Sequence, residues 1–169
     1  PYRLGRELFG AAPEPKALAE NATRTRTFFS LPLESLRPCF VIDCSGSMSE
    51  PAPASLRTIT RNQALAKGAP PPTKFDVARH ELELALLSLP REARFGVILF
   101  RERTIPVQEL SVPASPKHIR RVLGMIDEMR PEGATDVYGP LSTILHGSAP
   151  EDAEAANLVD FDTILFLSD

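Results

Sequence analysis

Three oxygen-bearing side chains at alternate positions, Asp43, Ser45 and Ser47, close an apolar run that begins at Phe40. In an extended chain alternate side chains share a face, so the carboxylate and both hydroxyls project to one side, and Gly46 lets the backbone turn tightly between the hydroxyls. Hard oxygen donors converging without an imidazole or thiolate suit Mg2+, with Mn2+ and Ca2+ as alternatives, and disfavour Zn2+ or copper. On its own, Asp-x-Ser-x-Ser is more often a capped turn than a metal site.

Two further stretches change that weighting. Glu132-Gly133-Ala134-Thr135-Asp136 is a glycine-containing loop that offers a hydroxyl at Thr135 just before a periodic run from Val137 to Leu145. Phe161 to Asp169 is a second apolar run that ends in a carboxylate. The three segments in this order resemble the von Willebrand factor A domain, whose metal-ion-dependent adhesion site is built from such pieces. The resemblance runs from about Arg37 to Asp169. It implies a doubly wound α/β sheet, mostly parallel with one antiparallel edge strand, in strand order 3-2-1-4. It also implies five ligands: hydroxyls from Ser45, Ser47 and Thr135 directly on the ion, with Asp43 and Asp169 binding directly or through oriented waters. One coordination position would stay open for an Asp or Glu of a partner protein, so the implied role is binding and not catalysis. The Thr-Phe-Phe-Ser-Leu-Pro-Leu lead-in and the Leu-Ser-Asp ending are most similar to bacterial members. Because the family continues past the strand that Asp169 closes, the chain reads as a domain truncated after its fourth core strand.

The elements needed to position these residues are legible from periodicity. Thr73 and Asp76 form a capping-box pair ahead of Phe75, Ala78, Leu82, Ala85 and Leu86, which recur at helical spacing until Pro90. Phe95 to Phe100 is continuously apolar and predicts a central strand, and the short link to Thr104–Leu110 suits a hairpin. Ser115 and Pro116 open a second helix with Ile119, Val122, Leu123, Ile126 and Met129 on one stripe. Met125 and Met129 are core filler on this reading. Val137 to Leu145 predicts a third, short helix that tolerates Pro140 in its first turns. Such sheets bind ligands beyond the carboxyl ends of their strands, where the connection direction reverses, and Asp43 and Asp169 both close strands at that end.

The remaining regions are less informative. Residues 1–36 form an N-terminal extension in which Thr25 to Leu33 could pair as an edge strand, with Arg24 and Arg26 on a solvated face. The domain proper is 37–169. It carries an inserted, Pro-bounded loop at 49–72 in which a short helix capped by Ser55 is expected, and which holds Arg57, Arg61 and Lys67 with Glu50 as its sole acid. Those three bases suit either a basic lip near the metal that attracts an acidic partner or a solvated linker. Glu151, Asp152 and Glu154 read as solvated loop, and His80, His118 and His146 show no metal spacing.

A chain of 169 residues with net charge -3 suits one globular domain and gives no reason to expect nucleic acid or a membrane span. Asn21-Ala22-Thr23 matches a glycosylation triplet by chance on this reading. Cys39 and Cys44 fall on opposite faces of one strand, roughly 16 Å apart at about 3.3 Å per residue, and cannot bridge. Two unpaired thiols lean weakly towards a reducing, cytoplasmic compartment. Alternatives to a binding module are a Mg2+-dependent phosphohydrolase and a structural domain with an idle site. The haloacid-dehalogenase pattern fails at Ser45, where its second acid belongs, and neither a phosphate loop nor a nucleophile elbow occurs. Without metal, two carboxylates about 4 Å apart would repel by about 4 kcal/mol at an effective dielectric near 20.

Overall fold

The structure, a computed structural model, describes residues 26–57, 70–107, 111–146 and 161–169. In chain order its strands are β1 (Thr27–Phe28), β2 (Leu31–Pro32), β3 (Pro38–Asp43), β4 (Arg94–Phe100), β5 (Thr104–Pro106), β6 (Val112–Pro113) and β7 (Thr163–Leu167). Its longer helices are α1 (Lys74–Ser88), α2 (Pro116–Asp127) and α3 (Tyr138–His146). Two single turns, Gly46–Ser49 and Ala54–Arg57, lie between β3 and α1.

Strands apolar on both faces must be covered on both, which puts β3 and β4 at the middle of the sheet. Every residue of β3 is buried, as is β4 from Phe95 to Phe100. The sheet order is β5-β4-β3-β7, with β3 parallel to β4 and β7, and β5 antiparallel to β4. This is the expected order 3-2-1-4 with its antiparallel edge. Register matters for the site: Asp43 lies opposite Phe100 and Ile42 opposite Leu167, so the carboxyl ends of β3 and β7 finish side by side.

Helices cover the sheet unequally. On one face Phe40, Ile42 and Cys44 pack with Phe75, Ala78, Leu82, Ala85 and Leu86 of α1 and with Ile119, Val122 and Ile126 of α2. Met125 and Met129 flank this cluster as the sequence predicts. On the other face Cys39, Val41, Ile98 and Phe100 meet Ile144 of α3. Both caps form as expected: Thr73 and Asp76 close a full capping box, and the Ser115 side chain accepts from the His118 N–H with Pro116 at the helix start.

Three expectations change. Residues near the N-terminus do not join the main sheet: β1 and β2 form their own hairpin, whose turn residues Phe29 and Ser30 adopt φ of 49° and 64°. Left-handed backbone at two non-glycine residues costs energy that their types do not advertise. The buried carboxylate of Glu81 on α1 accepts from the Phe29 N–H at 2.8 Å, and Phe28 packs edge-on to Phe40, so the hairpin is fastened to the core. Arg26 donates to the carbonyls of Glu34 and Ser35 and so binds backbone, while Arg24 and Thr25 lie outside the described residues. In the insertion, the helical turn starts at Ala54, which places Ser55 inside it instead of at its cap. The expected Thr104–Leu110 strand resolves into β5, with β6 pairing separately against the start of β4, and residues 108–110 fall outside the described set. Arg61, Lys67, Gly68, Asn21 and the acids at 151–154 are likewise outside it.

Burial pushes the Cys39 thiol up to about 12. It also raises that of Cys44, helped by Asp43 and Glu132 and opposed by Arg101. Both cysteines are free and, as expected, on opposite faces. A thiol that stays protonated and buried is a poor nucleophile. At pH 8 the native protein should therefore leave both thiols unlabelled by a disulfide reagent over minutes, and both should react once denaturant is added.

Candidate metal centre

The candidate site begins where β3 runs out. Asp43 is completely buried, and its two oxygens accept from the Ser45 N–H at 2.7 Å and from the Ser168 hydroxyl at 2.7 Å. Among the described residues no cation pairs with it. The chain then turns into the Gly46–Ser49 helical turn, which brings the Ser45 and Ser47 hydroxyls to 3.2 Å from each other. Ser47 in turn donates to Oδ1 of Asp169 at 2.9 Å. Asp43, Ser45, Ser47 and Asp169 thus belong to one hydrogen-bonded group fed by the ends of two neighbouring parallel strands.

Thr135 is the exception. It is exposed, and among the described residues no hydrogen bond joins it to the other four. Its loop is nevertheless fixed against the site: the Gly133 carbonyl accepts from the Gly46 N–H at 2.9 Å, and the Glu132 N–H donates to the Cys44 carbonyl at 3.1 Å. On the far side the Asp136 N–H donates to the Arg101 carbonyl at 2.7 Å, while Arg101 pairs with Glu132. Asp136 also accepts from the N–H groups of Tyr138 and Gly139, capping α3, a role that its place just before the periodic run could have suggested. Gly46 suits this close approach: a Cβ there would stand 3.3 Å from the Gly133 carbonyl oxygen, so a larger residue would require the loop to give slightly. Gly133 is needed for its conformation, with φ of 77°.

Periodicity could not find Lys74 or Glu50. The Lys74 ammonium lies 2.7 Å from Oδ2 of Asp169 and 2.9 Å from Oε2 of Glu50. They meet because the two ends of the insertion pair: Pro51 bridges Thr73, Ala52 N–H donates to the Pro72 carbonyl, and Lys74 N–H donates to the Glu50 carbonyl. The expected repulsion between Asp43 and Asp169 is therefore eased on the Asp169 side by an ammonium. Hydrogen bonds from Lys74 and then Ser47 hold the Asp169 carboxyl below the usual carboxylate range. Reciprocally, Asp169 and then Glu50 raise the Lys74 ammonium above its ordinary value.

The residues present fit a hard divalent cation. A buried carboxylate without a countercharge is costly unless something positive comes to it, and the surrounding donors are oxygens in hydroxyls and carboxylates. A model of the von Willebrand factor type A domain matches residues 39–157, well over half of the chain. The chain belongs to the von Willebrand factor type A domain family. Its sheet is the mixed, mostly parallel α/β sheet expected of an A domain. No curated protein matches this A domain. None of its described helices is long and apolar enough to cross a membrane.

Replacing Gly133 by Ala should destabilise the domain by about 1–2 kcal/mol through the left-handed backbone alone, measured by urea unfolding. A second expectation concerns pH. The depressed Asp169 contributes stability above the unfolded carboxylate value of about 4 and loses it as pH falls through its folded value. The raised Lys74 contributes fully below about 10.4 and loses it as pH rises further. In chelator, the difference in Tm between wild type and Lys74→Met should stay level from about pH 5 to 9 and shrink in acid.

Proposed function

We propose that this A domain is a metal-dependent protein-interaction module, in which a Mg2+ ion held at the end of β3 binds an Asp or Glu of a partner. The observation that carries this reading is the wholly buried Asp43 carboxylate, which has no cation beside it among the described residues and is joined to Asp169 through Ser168 and the Ser45–Ser47 pair. Asp43 and Asp169 would supply two negative charges, and Ser45 and Ser47 neutral oxygens. Thr135 would add a third hydroxyl from a loop already fastened to Gly46 and Cys44. When bound, the ion supplies a Lewis-acidic point for an incoming carboxylate; Mn2+ and Ca2+ could replace Mg2+ there.

The chain's own groups account for how such a site would be maintained. The Ser45 N–H and the Ser168 hydroxyl orient both oxygens of Asp43. Ser47 does the same for one oxygen of Asp169, and with its proton turned to that carboxylate its oxygen keeps a lone pair to donate to a cation. The family's common role supports a binding domain over an enzyme, and supports a protein as the partner.

Added Mg2+ at 100 times its Kd should stabilise the wild type by about 2.7 kcal/mol. Asp43→Asn keeps the shape and the acceptor for the Ser45 N–H, turns the Ser168 hydroxyl from donor to acceptor, and removes a buried charge. It should melt higher than wild type in chelator and show no response to Mg2+. A wild-type Tm unmoved by Mg2+, Mn2+ or Ca2+ rejects the metal site, whereas metal-dependent hydrolysis of a generic phosphate ester redirects it to a phosphohydrolase.

A further inference from the structure

The neck of the insertion places a cation where the proposed ion must compete. Asp169 arrives from the end of β7 with Oδ1 on the Ser47 hydroxyl and Oδ2 on the Lys74 ammonium. The same ammonium touches Glu50, and this second contact is set by backbone: the Lys74 N–H donates to the Glu50 carbonyl at 2.9 Å, beside the Pro51–Thr73 bridge. Lys74 therefore has two carboxylates within reach, one in the metal group and one outside it. Its side chain and that of Asp169 are each about a quarter exposed, at 23% and 24%, so their attraction is only partly screened by water.

We propose that Lys74 is a built-in competitor for the metal site, and that Glu50 is the acceptor onto which its ammonium moves when a divalent cation takes Asp169. The inference rests on the metal-centre reading and adds to it a means of setting affinity. A free Asp169 would attract a divalent ion strongly. The ammonium offsets part of that attraction, and Glu50 returns some of it by giving the displaced charge a partner already in place. Lys74 and Glu50 should then act on metal affinity in opposite directions, although they form one ion pair. A merely structural pair would instead weaken binding whichever member was removed.

The test is calorimetric titration of the domain with Mn2+ alone at fixed neutral pH and ionic strength. Circular dichroism melts in chelator establish that each variant is folded. Lys74→Met should tighten Mn2+ binding about five- to tenfold, a size suited to a partly screened charge pair. Lys74→Arg should stay within about twofold of wild type, since it keeps the competing charge. Glu50→Gln should weaken binding several-fold, and by distinctly less in the Lys74→Met background. Where Lys74→Met does not fold, Lys74→Gln carries the same expectation. Unchanged or weaker Mn2+ binding on loss of the lysine charge, or an equal Glu50→Gln effect in both backgrounds, overturns the inference while leaving the metal centre standing. Absence of Mn2+ binding in both wild type and Lys74→Met overturns both. Mn2+ binding that appears only once the lysine charge is removed supports the competitor and rejects a metal-dependent function of the wild-type domain.

Discussion

A carboxylate at the tip of a fully buried strand is the constraint on which the rest of this domain turns. Asp43 has lost its contact with water entirely, and its oxygens are satisfied by one backbone N–H and one hydroxyl. Two hydrogen bonds return only part of the solvation an ionised carboxylate gives up. The deficit is tolerable because the adjoining chain arranges polar groups around it: the Gly46–Ser49 turn tucks under the Gly133 carbonyl, and Ser168 reaches across from the neighbouring strand. Buried polar groups of this kind concentrate at functional positions, because a purely structural strand end would be cheaper with an apolar or exposed residue there.

The sheet's connectivity converts that local feature into a composite site. Parallel pairing of β3 with both β4 and β7 puts three carboxyl ends on one edge, and a parallel register spaces them without an intervening hairpin. The crevice where the chain's winding reverses is then lined by whatever follows each strand. After β3 comes a tight hydroxyl-bearing turn, and after β7 Ser168 and Asp169. After β4 comes the Arg101–Arg103 turn, whose backbone and whose Glu102 side chain hold the Gly133–Asp136 loop. Packing on the two faces does not contribute ligands. It holds the strand ends in register so that groups more than 120 residues apart can share hydrogen bonds.

How much of this was legible in the sequence depended on the range of the interaction. The α1 and α2 caps were readable because Thr73 with Asp76 and Ser115 with Pro116 act within one helical turn. The central strands were readable because burial on both faces leaves an unbroken apolar run. Strand order came from resemblance, since periodicity says nothing about which strands are neighbours. The β1–β2 hairpin was missed because its turn uses Phe29 and Ser30 at positive φ, where Gly or Asn would have announced it. Of the five proposed ligands, four are joined by hydrogen bonds, and Thr135 is represented by its anchored loop rather than by its side chain. Lys74 and Glu50 escaped because their meeting depends on the two ends of a 24-residue excursion closing on each other, and Asp169 lies 95 residues further on.

The position of Lys74 is itself informative about what the neck is doing. It is the first residue of α1, where the helix presents its unpaired N–H groups and the positive end of its dipole. An ammonium is unfavourable there, and the acidic Asp76 of the capping box already shows which charge that end prefers. Local helix energetics alone would select against this lysine. What compensates is tertiary: Glu50 across the neck and Asp169 from the end of β7 together place two carboxylates on the one ammonium. The ammonium is thus held by the hydrogen-bonded group at the strand ends and by the base of the insertion at once, at a helix end that would otherwise reject it. A charge maintained against its local preference by partners on both sides keeps one of them when the other is taken, which is what the proposed competition with a divalent cation at Asp169 requires of Glu50.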